Sequence, residues 1–241
     1  MSLKLFNQFG VQSLSAASSF IPTDISGLTA WFDADDSGTI IESGNSISQW
    51  NDKSGNGNNV TQATSSNQPL TNTNTINGKN VITFDGLNDY LKRATWTGGV
   101  IAQPNTAFVV FKFDINAART IFDGSSSGTE RHIIRTASSS TISIWAGAVT
   151  VLTSSDVGSL AVPRLITAVY NSTSSEIYME GTLEKTGDSG SFSMQGISLG
   201  SNWDVALPFD GDIAEVIIYN KLLNTTERQQ AEAYLTTKWG I

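Results

Sequence analysis

The chain has 241 residues, a formal net charge of −8 and no cysteine. That length accommodates one large β domain with a self-sufficient core. The missing cysteines exclude disulfides, cysteine zinc sites and a thiol nucleophile, and the acidic balance argues against a nucleic-acid binder, which needs a basic face to neutralise phosphate.

Residues 1–24 differ in character from the rest of the chain. Met1 to Phe6 begins like a secretory signal, with Lys4 among apolar residues, but Asn7, Gln8, Gln12 and Ser13 interrupt the apolar run that such a signal needs. The segment reads as an extended arm that docks on a neighbouring chain, a sister subunit or another virion protein, or else stays mobile. No stretch reaches the roughly 20 apolar residues of a membrane-spanning helix.

From Ile25 onward the pattern is β. Ile25 to Asp33 alternates, with Leu28, Ala30 and Phe32 on one face and Thr29, Trp31 and Asp33 on the other. Ile47 to Trp50 is a second strand, running into the Asn-, Gly- and Ser-rich loop 51–59, whose composition demands tight turns. Residues 61–79 are polar and read as a surface excursion. Val81 to Phe84 is a strand ended by Asp85-Gly86. Thr106 to Phe113 is apolar on both faces, as a central strand covered on both sides should be.

Short strands continue at Thr120–Phe122, His132–Arg135, Ile142–Trp145, Leu165–Tyr170, Glu176–Glu180 and Ile197–Gly200, punctuated by turn residues. Phe209 to Asn220 reads as a turn and a buried closing strand. The single convincing helix runs from Asn224 to about Lys238, with Asn224 and Glu227 placed as a capping box, Ala231, Tyr234 and Leu235 as an apolar stripe, and Gly240 as the stop. The fold expected is all-β: a two-sheet antiparallel sandwich with one short C-terminal helix.

Four pieces of the chain carry a family resemblance: Gly27 to Asp35 (GLTAWFDAD), Trp50 to Asn58 (WNDKSGNGN), Phe84-Asp85-Gly86 with Asp89-Tyr90-Leu91, and the closing strand with its helix (ERQ…AEAYL…KWG). In this order they resemble the laminin-G-like, concanavalin A-like jelly-roll superfamily, in its bacterial and phage versions, over residues 25–241. The resemblance implies a sandwich that binds glycans or proteins through loops, sometimes with calcium, often as an adhesion module.

Enzymes of this superfamily imply paired carboxylates, which glucanases of the kind carry as E-x-D-x-x-E on one strand. That pattern is missing here. Asp212 and Glu215 are an odd number of residues apart, which places them on opposite faces of a regular strand. His132, the only histidine, sits inside a strand without a nucleophile elbow and reads as structural. For calcium, Asp33 and Asp35 in the turn Asp33–Gly38, and Asp85 with Asp89, supply the candidate oxygens, although Gly44 stands where an EF-hand loop would need glutamate. For glycan, the loop aromatics Trp203, between Asn202 and Asp204, and Trp96 are the candidate stacking platforms; Trp31, Trp50, Trp145 and Trp239 fall in regular elements and read as core.

The sequence therefore favours a non-enzymatic lectin-like adhesion module of a phage or bacterial surface assembly, on a virion or at a cell surface. A virion decoration subunit assembled through residues 1–24 is the alternative, and a glycan-active hydrolase the second alternative.

Overall fold

The computed structural model describes residues 20–124, 128, 130–137, 141–148, 151–155 and 160–241. Apolar alternation sorts the strands into two large antiparallel sheets. In the seven-stranded sheet the order is Leu28–Asp33, Asp210–Tyr219, Asn105–Phe113, Arg164–Tyr170, Ser175–Met179 and Thr182–Gly187, with Ile82–Asp85 also pairing with Asp210–Tyr219. In the nine-stranded sheet it is Leu152–Thr153, Ile142–Trp145, Ile133–Thr136, Arg119–Asp123, Ile197–Leu199, Leu91–Arg93, Val60–Thr61, Ser46–Trp50 and Ile40–Ser43.

The main core lies between the sheets. Ala30, Phe32, Val109, Phe111 and Val216 from one sheet meet Trp50, Phe122, Ile134, Ile144 and Leu199 from the other. Asn105–Phe113 is central, as its two apolar faces require. Val109, Phe111 and Phe113 enter the main core, while Phe108 and Val110 enter a second core beneath the helix Thr225–Trp239. Each large side chain so buried contributes about 1.5–3 kcal/mol.

The helix begins and ends where its capping chemistry dictates. Asn224 Oδ1 accepts from the Glu227 amide at 3.0 Å, Glu227 Oε2 accepts from the Asn224 amide at 3.0 Å, and Gly240 closes the last turn at φ 69°. Ala231, Leu235 and Trp239 are buried against Ile217, Tyr219 and Phe108. A polar knot fastens the same face: Glu215 Oε1 accepts from Trp31 Nε1 at 2.7 Å and from the Tyr234 hydroxyl at 2.9 Å. Its Oε2 accepts from Trp239 Nε1 at 2.7 Å and Lys238 Nζ at 2.8 Å.

The closing strand departs from simple alternation. A β-bulge at Ala214 adds one residue between Ile213, opposite Phe111, and Glu215, opposite Val110. Asp212 and Glu215 therefore share the helix-side face, and their expected placement on opposite faces is corrected. They still serve separate networks. Asp212 is held by Lys112 at 2.7 Å, Asn74 at 2.8 Å and Thr83 at 2.8 Å, apart from the knot around Glu215.

Residues 61–79, read as an excursion, include the strand Thr75–Ile76, which pairs with Lys79–Asn80 at its end. Of the arm expected over residues 1–24, residues 1–19 lie outside the described residues. Phe20 to Asp24 pack on their own domain: the Phe20 ring meets Tyr234 edge-on at 6.0 Å, and the Tyr219 hydroxyl donates to the Pro22 carbonyl at 2.8 Å.

Candidate functional site

With the helix laid over the seven-stranded sheet, the outer face of the nine-stranded sheet is the broad surface left to solvent. Strand periodicity decides what it shows. Along Arg131 to Thr136, His132, Ile134 and Thr136 turn inward while Arg131, Ile133 and Arg135 turn outward. Register then aligns Lys92, Ser198, Asp123, Ile133 and Trp145 as one row across five strands. Thr120, Arg135, Ser143 and Thr153 form the neighbouring row.

Between these rows and the loop after Ile197–Leu199 lies a depression of about 290 Å³, lined by Thr120, Arg131, Ile133, Arg135, Trp145 and Asn202, with Val151 and Leu207 at its edges. That is just under the range for small-ligand clefts, about 300–1,000 Å³. Apolar side chains, an indole and a few fixed polar groups make up its wall, as sugar recognition requires: the ring face packs on aromatic carbon while hydroxyls seek hydrogen bonds.

Arg131 organises the site. Its guanidinium is locked on the fully buried Asp123, with Nη2 to Oδ2 at 2.6 Å and Nε to Oδ1 at 3.2 Å. It lies 5.6 Å from the Trp145 ring centre and 5.9 Å from that of Trp203. Burial lifts the Asp123 carboxyl above the ordinary carboxylate range, and Arg131 counters it only in part. Asp123 Oδ2 also accepts from the Trp203 amide at 3.0 Å, while Lys92 Nζ donates to the Trp203 carbonyl at 2.8 Å, so the loop backbone is pinned on both sides of that indole. Trp145 is fixed by its Nε1 donating to the Ala148 carbonyl at 2.7 Å and by the edge-on ring of Phe192.

The residues expected to bind ligand are divided by the structure. Asn202 lines the depression, Trp203 flanks it half-buried, and Asp204 is exposed on the turn beyond. Trp96 is only 3% exposed and belongs to the main core, so it offers no platform to solvent. Trp145, read as core, is instead half-exposed on the outer face. Sequence reasoning misses Arg131 and Arg135. Their signal is the period-two spacing of two arginines around His132-Ile133-Ile134, which a regular strand turns to one face.

The carboxylates expected to hold calcium are engaged within the protein. Asp33 is ion-paired with Lys53 and Lys238, and Asp35 with Lys79. Asp85 Oδ1 accepts from the amides of Leu87 at 2.8 Å and Asn88 at 3.2 Å. Asp89 Oδ2 accepts from the Asp85 amide at 3.1 Å, and burial, then the Asp85 charge, pushes the Asp89 carboxyl up to about 6. Among the described residues no group of three or more histidine or acidic side chains is arranged to hold a metal ion.

His132 sits below the depression, fully buried and stacked on Tyr170 at 4.2 Å, with Nε2 against the Phe192 carbonyl at 2.7 Å. Burial pushes its pKa down to about 4 from 6.5, so the native imidazole is neutral and Nε2–H donates to that carbonyl. The unfolded chain therefore binds the proton first as pH falls, and His132 costs stability progressively between about pH 6.5 and 4, by roughly 3 kcal/mol in full. In urea melts across this window, the wild type should lose more stability on acidification than His132→Gln. Parallel curves would show that His132 does not titrate differently on folding.

Comparison with solved structures places this fold among known ones. Domain 4 of a GH43 extracellular arabinanase from Geobacillus stearothermophilus, solved in complex with arabinotriose, matches with a TM-score of 0.59 at 18% identity, over 83% of this chain and 95% of that one. A sialidase of Trypanosoma rangeli matches with a TM-score of 0.61 at 13% identity, over 89% of this chain but only 33% of that one. An arabinofuranosidase complexed with arabinofuranosyl-α-1,2-xylobiose matches with a TM-score of 0.65 at 15% identity, over 80% of this chain and 51% of that one. The chain thus spans about a third of the sialidase and half of the arabinofuranosidase. No protein-family model and no curated protein sequence matches it.

At these identities the likeness establishes the two-sheet sandwich. It also corrects two expectations, that the chain is a non-enzymatic lectin-like adhesion module and that it is no enzyme: the neighbours are named as arabinanase, sialidase and arabinofuranosidase, which are glycan-active enzymes. Nothing among them supports a virion or decoration role. Among the described residues no helix is long and apolar enough to cross a membrane.

Proposed function

We propose that this chain is the glycan-engaging β-sandwich of a glycan-active enzyme of the glycoside-hydrolase kind, working outside the cell. One observation carries the reading: the outer-face depression in which Trp145 and Trp203 flank a guanidinium immobilised by Asp123, with Asn202 at the rim. An indole offers a sugar ring its face, and a pre-fixed guanidinium and amide bond hydroxyls with little ordering cost. The arabinanase domain, solved with arabinotriose, and the sialidase and arabinofuranosidase support the assignment to glycan chemistry.

The test is calorimetric titration of the chain with arabino-oligosaccharides, xylo-oligosaccharides and sialyl-oligosaccharides, with assay of the bound glycan for newly released reducing ends. At least one class should bind, and Trp145→Ala should weaken it tenfold or more, which is about 1.4 kcal/mol. Unchanged affinity in that variant would move the site elsewhere, and no binding to any class would sink the reading.

A further inference from the structure

The charge in the depression is unbalanced. Arg131 is neutralised by Asp123, but the side chain of Arg135, one row away, has neither an ion pair nor a hydrogen bond among the described residues. Among the described residues no carboxylate lines the depression, in a chain whose formal net charge is −8. On the neighbouring strands Arg135 is flanked in register by Thr120, at the floor of the depression, and by Ser143, which is buried with its hydroxyl bonded to Thr153. Ile133, Val151 and Leu207 make the wall around it apolar, which strengthens any charge pair formed there.

A second polar group points the same way. Asn202 Oδ1 is buried at the depression without a hydrogen-bond partner, an acceptor that a ligand hydroxyl would satisfy.

On these observations, and resting on the glycan-engaging reading, we infer that the depression selects a sugar bearing a carboxylate, with Arg135 as the residue that reads it. The planar guanidinium fork matches a carboxylate bidentately, whereas a neutral sugar leaves that charge unanswered. Sugar hydroxyls reach Asn202, and the ring packs on Trp145.

Two sources of such a carboxylate exist, uronic acids and nonulosonic acids, and paired probes separate them. Affinities of the full chain are compared for trigalacturonate against its methyl ester, and for 3′-sialyllactose against lactose. In at least one pair the acid should bind about tenfold tighter or more, and the pair that discriminates names the source. Arg135→Gln should bring that ratio to about one. Arg135→Lys, which keeps the charge and loses the fork, should give an intermediate ratio, with thermal melting confirming that both variants fold.

Equal affinity within both pairs, with the neutral sugars bound, would overturn the inference and leave the glycan-engaging reading standing. A ratio that survives in Arg135→Gln would remove Arg135 from the role. Binding to none of the four probes would reject the inference; the broader titration with arabino-, xylo- and sialyl-oligosaccharides decides separately on the reading beneath it.

Discussion

Glu215→Ala should lower the stability of the domain by about 3–5 kcal/mol, read as a fall in the urea midpoint with the slope unchanged. The reason is the number of donors left behind. Two indole N–H groups, the Tyr234 hydroxyl and the Lys238 ammonium converge on this one fully buried carboxylate. Alanine would strand the two indole N–H groups and the Tyr234 hydroxyl, leave Lys238 with Asp33 as its one carboxylate, and open a cavity between strand and helix.

The carboxyl itself is held above the ordinary glutamate range, first by burial and then by the nearby Asp33 charge, with Lys238 countering both. The knot is therefore an expensive arrangement kept because its members satisfy one another. Glu215→Gln keeps the shape but turns one donor toward donors, and should fall between wild type and alanine. A loss below 1 kcal/mol for Glu215→Ala would mean that apolar packing alone docks the helix.

Asp123→Ala should have the second large effect, and on two observables together. Removing one partner of the buried pair leaves Arg131 uncompensated and releases the Trp203 amide, at about 3–5 kcal/mol. Because Asp123 lies beneath the depression, it acts on glycan through Arg131 and Trp203. A mainly positional role predicts that Asp123→Asn, which refills the space, retains a cooperative melt yet binds glycan at least tenfold more weakly than wild type. Full affinity in that variant would show that Arg131 finds its pose without the charge beneath it.

Most of the scaffold is legible because burial writes itself into periodicity. The two-faced strand Asn105–Phe113, the turn punctuation and the capped helix rest on local rules, and each forms where those rules place it. The short strands Val60–Thr61, Leu91–Arg93 and Leu152–Thr153 are not legible, since two or three residues carry too little alternation and gain their state from neighbours. The tryptophans mislead for the same physical reason. Loop position suggests that Trp96 is exposed and strand position that Trp145 is core, but which face a strand residue takes depends on the partner sheet, which no local window contains. Half of the site is nonetheless in view: Asn202 and Trp203 come from loop composition, whereas Arg131 and Arg135 need the register of three strands to become a surface.

The extra residue at Ala214 makes the closing strand a device with a fixed parity. Alternation counted before it is out of step by one residue with alternation counted after it, and the bulge absorbs that step. Deleting Ala214 would therefore make the ladder regular, leaving Ile213 opposite Phe111, Asp212 opposite Lys112 and Glu215 opposite Val110. One backbone position thus lets Asp212 and Glu215 face the same side of the sheet despite their odd separation.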